Sequence, residues 1–194
     1  MTEILNLNKS TPALNLTKAS PNLTLLKGAL SWDMHPIHGK SLTAGFDLDI
    51  FVIAANASEK IGGAEDVAFF NNRVLFNGGV SLSADNRTGE GDGADEEVTF
   101  ELGKIPADKV NLDVYVFLHQ SIARNQNFGM MANAFFALSD AASGREIQRY
   151  SLSQYTTGDV LHVGRLTRAS GVWEFQPVGE ASVADPNAVL SAYM

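Results

Sequence analysis

Between Ala84 and Val98 the chain reads "ADNRTGEGDGADEEV", which sets Asp85, Glu90, Asp92, Asp95, Glu96 and Glu97 among three glycines and one base, Arg87. Carboxylates this dense repel one another, so the segment needs either open water or bound cations. Hard divalent ions are the natural partners. Calcium takes about six to eight oxygens from carboxylates, amide and backbone carbonyls and water. Gly89, Gly91 and Gly93 let the backbone bend around an ion and turn its carbonyls inward. Asp92 and Asp95 supply charge, with Asp85, Asn86 and Glu96 in reach. Asp47 and Asp49, in "GFDLDIF", add two carboxylates at the start of an apolar stretch.

Other chemistries fit less well. An EF-hand requires acids at alternate positions, a glycine at six and a glutamate at twelve, and no register of this loop supplies them. A phosphate cradle requires a following helix and usually a lysine, whereas here a strand pattern follows. His35 and His38 lie three apart near Asp33, but without cysteine or a third histidine they fall short of a four-ligand zinc site. Clustered carboxylates can hold two metals for phosphoryl hydrolysis, yet no dedicated base or phosphate-binding group accompanies them. No Gly-x-Ser-x-Gly element offers a nucleophile. A purely solvated acidic loop remains the plain alternative.

The elements that must carry these residues read as strands. "LNLNK" from Leu5 and "LNLTK" from Leu14 both alternate apolar and polar residues, and "NLTLLKGALSW" runs strand-like to Trp32. In "GFDLDIFVIAA", Leu48, Ile50 and Val52 share one face, and Asp47, Asp49, Phe51 and Ile53 the other. Its far end is apolar on both faces, as in a buried central strand, which leaves the aspartates at the rim. "VAFFNN", "VLFNGGVSLS", "EEVTFELG", "NLDVYVFLH", "MANAFFALSD", "REIQRYSLS", "DVLHVGRLTR" and "GVWEFQPVG" continue the pattern, with hairpin turns at "SGRE" and "RASG". "SIARNQNFG", which holds Arg124, Asn125 and Gln126, reads as an irregular loop with one helical turn. "DPNAVLSAYM" reads as a short terminal helix capped by Asp185 with Pro186 at its first position. Many short strands without long helical periods predict an all-β antiparallel sandwich forming a single domain over residues 1–194. Trp32 and Trp173 are expected in its core, and His119 and His162 as satisfied strand histidines.

The 194 residues, nearly half of them apolar, suffice for one sizeable core. There is no cysteine, which excludes disulfides, thiolate metal sites and thiol redox chemistry. A formal charge of -8 opposes binding to a phosphate backbone, so nucleic acid is not an expected partner. "MTEILNLNKS" lacks the apolar core of a signal peptide, and no apolar run is long enough to span a membrane; a cytoplasmic protein is expected.

Several motifs, in order, resemble the TerD family of tellurium-resistance and stress-response proteins. They are "LNLTKASPNLTLLKGALSWD", "GFDLDIF", "FFNN", the acidic loop, "SIARNQNFGMMANAFFALSD", "GREIQRYSLS" and "GVWEFQPVGE", which together span about Leu5 to Gly179. The resemblance implies a calcium-binding β-sandwich without enzymatic activity. It also implies cytoplasmic complexes with other Ter-type stress proteins, peripheral to the inner membrane through a membrane-embedded Ter partner. The family's ligand motifs fall here on Asp47 and Asp49 and on Asp85, Asp92, Asp95 and Glu96, with Asn71 and Asn72 matching a usual Asn pair. Two calcium ions shared between rim and loop are the expected cofactors. Ala94 stands where the family has an aspartate, Ala84 where it has a glycine, and "ASVADPNAVLSAYM" replaces a glycine-rich tail. Two readings compete with this one: a metal-dependent hydrolase of a phosphorylated small molecule, and a structural sandwich with a solvated loop.

Overall fold

The computed structural model describes residues 4–34, 47–83, 94–152 and 154–194. In chain order the strands are β1 (Ile4–Asn6), β2 (Leu14–Asn15), β3 (Leu25–Met34), β4 (Leu48–Ala55), β5 (Val67–Ala68), β6 (Val74–Leu75) and β7 (Val80–Leu82). They continue with β8 (Glu96–Glu101), β9 (Asn111–Leu118), β10 (Met131–Asp140), β11 (Arg145–Ser151), β12 (Val160–Ala169) and β13 (Val172–Ser182). Three short helices, α1 (Leu16–Ala19), α2 (Ser121–Arg124) and α3 (Pro186–Ser191), punctuate them. None of the described helices is long and apolar enough to cross a membrane.

The strands form two sheets. One is seven-stranded in the order β1-β11-β10-β3-β8-β7-β6, and the other six-stranded in the order β2-β13-β12-β9-β4-β5. The expected antiparallel sandwich is what forms, with one exception at an edge, where β1 pairs parallel to β11. The inner faces meet in a continuous core that includes Leu30, Ile50, Val52, Phe100, Val114, Phe136 and Phe175. Trp32 and Trp173 are buried in it.

Local chemistry explains most of the boundaries. The β12–β13 hairpin turns through Ser170 and Gly171, both at positive φ, the geometry that matches strand twist in a two-residue loop. Asp185 caps α3 by accepting the Ala188 amide at 3.0 Å, and Pro186 opens the helix, as the sequence predicts. The "LNLTK" segment from Leu14 departs from its strand pattern after Asn15. There the Asn15 side chain accepts the Lys18 amide at 2.8 Å, and this cap converts Leu16–Ala19 into a helical turn.

The outer face of β4 and much of that of β9 are also buried. Phe51, Ile53, Ala55, Phe117 and Val160 form a second apolar cluster under the C-terminal segment, with Val189 and Leu190 packed on it and Tyr193 inserted. A six-residue helix is too short to persist alone, so docking holds α3 in place. Each large side chain buried there contributes roughly 1.5–3 kcal/mol.

A polar network crosses the same face. Asp113 is fully buried and accepts His162 Nε2 at 2.8 Å and the Arg165 guanidinium at 2.8 and 2.9 Å. Arg165 reaches on to both Glu59 oxygens at 2.8 and 2.7 Å. His162 stacks on Tyr115, whose hydroxyl meets that of Tyr193 at 2.8 Å. Burial by itself would raise the Asp113 carboxyl, but the hydrogen bonds from His162 and Arg165 outweigh it and hold the group below the usual carboxylate range. Its stabilisation is therefore complete above the unfolded carboxylate value of about 4 and is lost as pH falls through the lower folded value. We expect Asp113→Asn to cost roughly 3 kcal/mol at neutral pH. It should also flatten part of the stability slope below about pH 4, as read by urea denaturation at a series of pH values.

Candidate functional site

The alternation of β4 that sends Leu48 and Ile50 inward sends Asp49 onto the outer face beside Phe51. Asp47 sits just before the strand, where its carbonyl accepts the His119 amide at 2.8 Å. In the facing sheet, Glu96, Val98 and Phe100 are the buried positions of β8, so Glu96 projects into the gap between the sheets at the same end of the sandwich. Asp95 immediately precedes it and pairs by its amide to the Leu30 carbonyl at 2.9 Å.

All four carboxylates are between 5% and 8% exposed, a depth that acidic side chains reach only with partners. One Asp95 oxygen accepts the Trp32 amide at 3.0 Å. One Glu96 oxygen accepts the Ile50 amide at 3.1 Å, a bond that ties β8 of one sheet to β4 of the other. Asp49 lies 3.4 Å from His119 Nδ1, and Asp47 lies 3.7 Å from an Arg124 nitrogen. Four carboxylates thus stand close together at this end, with His119 and Arg124 at its edge.

Asp49 and Glu96 line a common cavity of about 10 Å³ with Ser83, Ile50, Leu82 and Phe70. That is room for one water-sized occupant. The donors around it are carboxylate and hydroxyl oxygens, a set that suits a hard cation and fits calcium. Among the described residues no three acidic or histidine side chains converge as a complete metal cluster.

The structure thus gathers Asp47, Asp49, Asp95 and Glu96 at one end. Asn71 and Asn72 do not line the cavity. Asn71 is exposed, and the Asn72 amide nitrogen donates to the carbonyls of Ala64 at 3.2 Å and Val67 at 2.9 Å. They belong to the turn that presents Phe70 to the cavity. Asp85, Asn86, Gly91 and Asp92 lie outside the described residues, as do His35 and His38.

Sequence reasoning left His119 and Arg124 out of the rim. The parity of "NLDVYVFLH" places His119 on the Phe117 face, but its nearness to Asp49 depends on the pairing of β9 with β4, which no local pattern reveals. Arg124 reaches the rim because Gln120 and Asn125, both in the left-handed region, bracket α2 and turn it back over the end of β9.

Fold and rim define a two-sheet sandwich with acids gathered at one end. A model of the TerD domain matches residues 4–193, and the chain belongs to the TerD family. It is 37% identical over 153 residues to the tellurium resistance protein TerD of an Alcaligenes species, covering 77% of each chain. It is 34% identical over 151 residues to general stress protein 16U of Bacillus subtilis, again covering 77% of each. The crystal structure of a homologue of telluride resistance protein (TerD) from Streptomyces coelicolor superposes with a TM-score of 0.67 at 25% identity, covering 87% of this chain and 96% of that one. The protein is accordingly of the tellurium-resistance and stress-response type.

The Glu96–Ile50 bond gives a structural prediction. Glu96→Gln keeps an oxygen for the Ile50 amide and should hold stability in chelator nearly constant. Glu96→Leu leaves that buried amide without its acceptor and should cost about 1–3 kcal/mol in urea denaturation. Equal losses for the two variants would show that the bond does not tie the sheets together.

Proposed function

We propose that this protein is a calcium-binding, non-enzymatic stress-response module whose acidic end becomes an interaction surface when the ions bind. The observation that carries the reading is the burial of Asp47, Asp49, Asp95 and Glu96 at a single end of the sandwich. Asp85, Asn86, Gly91 and Asp92 lie in sequence on the segment that leads into Asp95, and their oxygens would add to the donor set. Two ions shared between rim and loop match that number of carboxylates.

The ions would supply charge neutralisation and cross-linking. Carboxylates from β4 and from the approach to β8 belong to opposite sheets, so a cation held by both fastens the two layers at this end. A protein without cysteine has no thiol with which to reduce or sequester tellurite. Protection must then be indirect, through contacts with other Ter-type stress proteins and a membrane-embedded partner, with the protein itself in the cytoplasm. Among the described residues the rim contains no group arranged as a nucleophile with its base, which favours binding over hydrolysis.

Calcium should bind more tightly than magnesium, because magnesium demands a near-ideal octahedron and dehydrates reluctantly. Isothermal titration with each ion and native mass spectrometry with and without chelator measure this; equal or tighter magnesium binding would sink it. At free calcium ~100 times the dissociation constant the folded state gains about 2.7 kcal/mol. For a chain of this size that raises the melting temperature by roughly 5–10 °C. Asp92→Asn combined with Asp95→Asn should remove most of the gain. A melting temperature indifferent to calcium in both proteins would mean that the loop is merely solvated.

A further inference from the structure

A cavity of about 640 Å³ opens on the outer face of the six-stranded sheet, beside the acidic rim. That volume is in the range of small-molecule sites, which are mostly apolar with a few fixed polar groups. Phe51, Phe70 and Phe117 form its aromatic wall, with Phe51 and Phe117 4.5 Å apart between ring centroids. Ile122 from α2 and Val183 from the C-terminal segment form the lip, and they are 85% and 75% exposed. Large apolar side chains held at such exposure around a concavity mark a binding surface.

Acidic groups predominate among the polar residues of the cavity. Among the described residues Asp49, Asp159 and Asp185 line it, no lysine or arginine does, and His119 is the one basic group. Asp159 decides the argument. It is 7% exposed and accepts the Ser121 hydroxyl at 2.6 Å and the Ala184 amide at 3.2 Å. Both donors are neutral, and among the described residues no cationic side chain pairs with it. A buried carboxylate whose charge is uncompensated is costly, and a cation seated beside it removes that cost. The same two bonds hold α2 and the C-terminal segment as opposing walls, so the cavity is formed before any ligand arrives. Aromatic faces add attraction for a cation.

We propose that this cavity binds a small organic cation, an amine or ammonium carried on an aromatic or branched apolar body. The body lies against Phe51, Phe70 and Phe117, and the cationic head faces Asp159 and Asp49. The assignment does not rest on calcium binding, and chelator separates the two.

Three probes share one body and differ in charge: 2-(1-naphthyl)ethylamine, 2-(1-naphthyl)ethanol and 1-naphthylacetate. They are titrated in chelator into isotope-labelled full-length protein, with affinities read from amide shifts of residues 119–123 and 183–184. The amine should bind about tenfold or more tighter than the alcohol, and the acetate weakest. Asp159→Asn should bring the amine down to the alcohol's affinity. Val183→Arg changes an exposed residue and leaves the fold intact; it brings a competing guanidinium to the lip and should weaken the amine about tenfold. Absence of binding by all three probes overturns the proposal. So does an acetate that equals or outbinds the amine, or Val183→Arg protein with the parent's amine affinity.

Discussion

Burial of β4 on both faces is the constraint from which the rest of this molecule follows. Every residue from Leu48 to Ala55 is buried. The inner face is closed by the opposite sheet, and the outer face by the C-terminal segment. Strand geometry then leaves Asp49 no choice. It must share the outer face with Phe51 and Ile53, and it enters a low-dielectric region with them. The acids at this end are buried because they are continuous with an apolar strand. Their charge must be met there by amides, by Arg124 and His119, or by ions.

The same constraint accounts for the polar network farther along the face. Asp113 on β9 is cut off from water, and its charge is answered by His162 and Arg165 on β12. Register makes this possible, because β9 and β12 pair Asp113 with Arg165 and Tyr115 with His162 directly across the sheet. The sandwich therefore carries two buried acidic centres, one within the six-stranded sheet and one where the rims of the two sheets meet. The one in mid-sheet is internally compensated. The one at the rim draws its carboxylates from both sheets around a small cavity, and that arrangement separates a candidate binding site from a structural network.

Much of this was legible in the sequence, and the legible parts are those governed by local chemistry. The two-faced apolar end of β4, the Ser170–Gly171 turn and the Asp185–Pro186 helix start follow from period, φ preference and capping. The pairing of β1 parallel to β11 was not legible, since a three-residue strand carries no record of its partner's direction. The Leu-Asn-Leu-Thr segment from Leu14 misled, because Asn15 caps a helical turn as readily as it sits in a strand. Asp113, His162 and Arg165 occupy strand positions whose polarity reads as solvent-facing. Only tertiary packing, with His162 and Arg165 over Asp113 and Tyr193 inserted beside Tyr115, encloses the carboxylate. The carboxylates of the rim were identifiable by type, but their convergence depends on β8 and β4 meeting from different sheets.

The acidic rim and the aromatic cavity are not independent features, because Asp49 and Phe70 line both the small cavity at the rim and the larger one beside it. A cation that draws the Asp49 carboxylate toward Glu96 takes charge away from the larger cavity and shifts the Asp49–His119 contact at its edge. Phe70 is fixed from the other side by its turn, where the Phe69 and Asn72 amides and carbonyls pair with each other. The wall between the sites therefore has one movable polar member and one anchored aromatic member. Two ligands that compete for the charge of one carboxylate oppose each other, and by linkage the opposition is equal in both directions. An ion at the rim then weakens an organic cation next door by the same factor with which the organic cation weakens the ion. What distinguishes this end of the sandwich is that a single side chain, placed by strand alternation alone, sets the sign of that coupling.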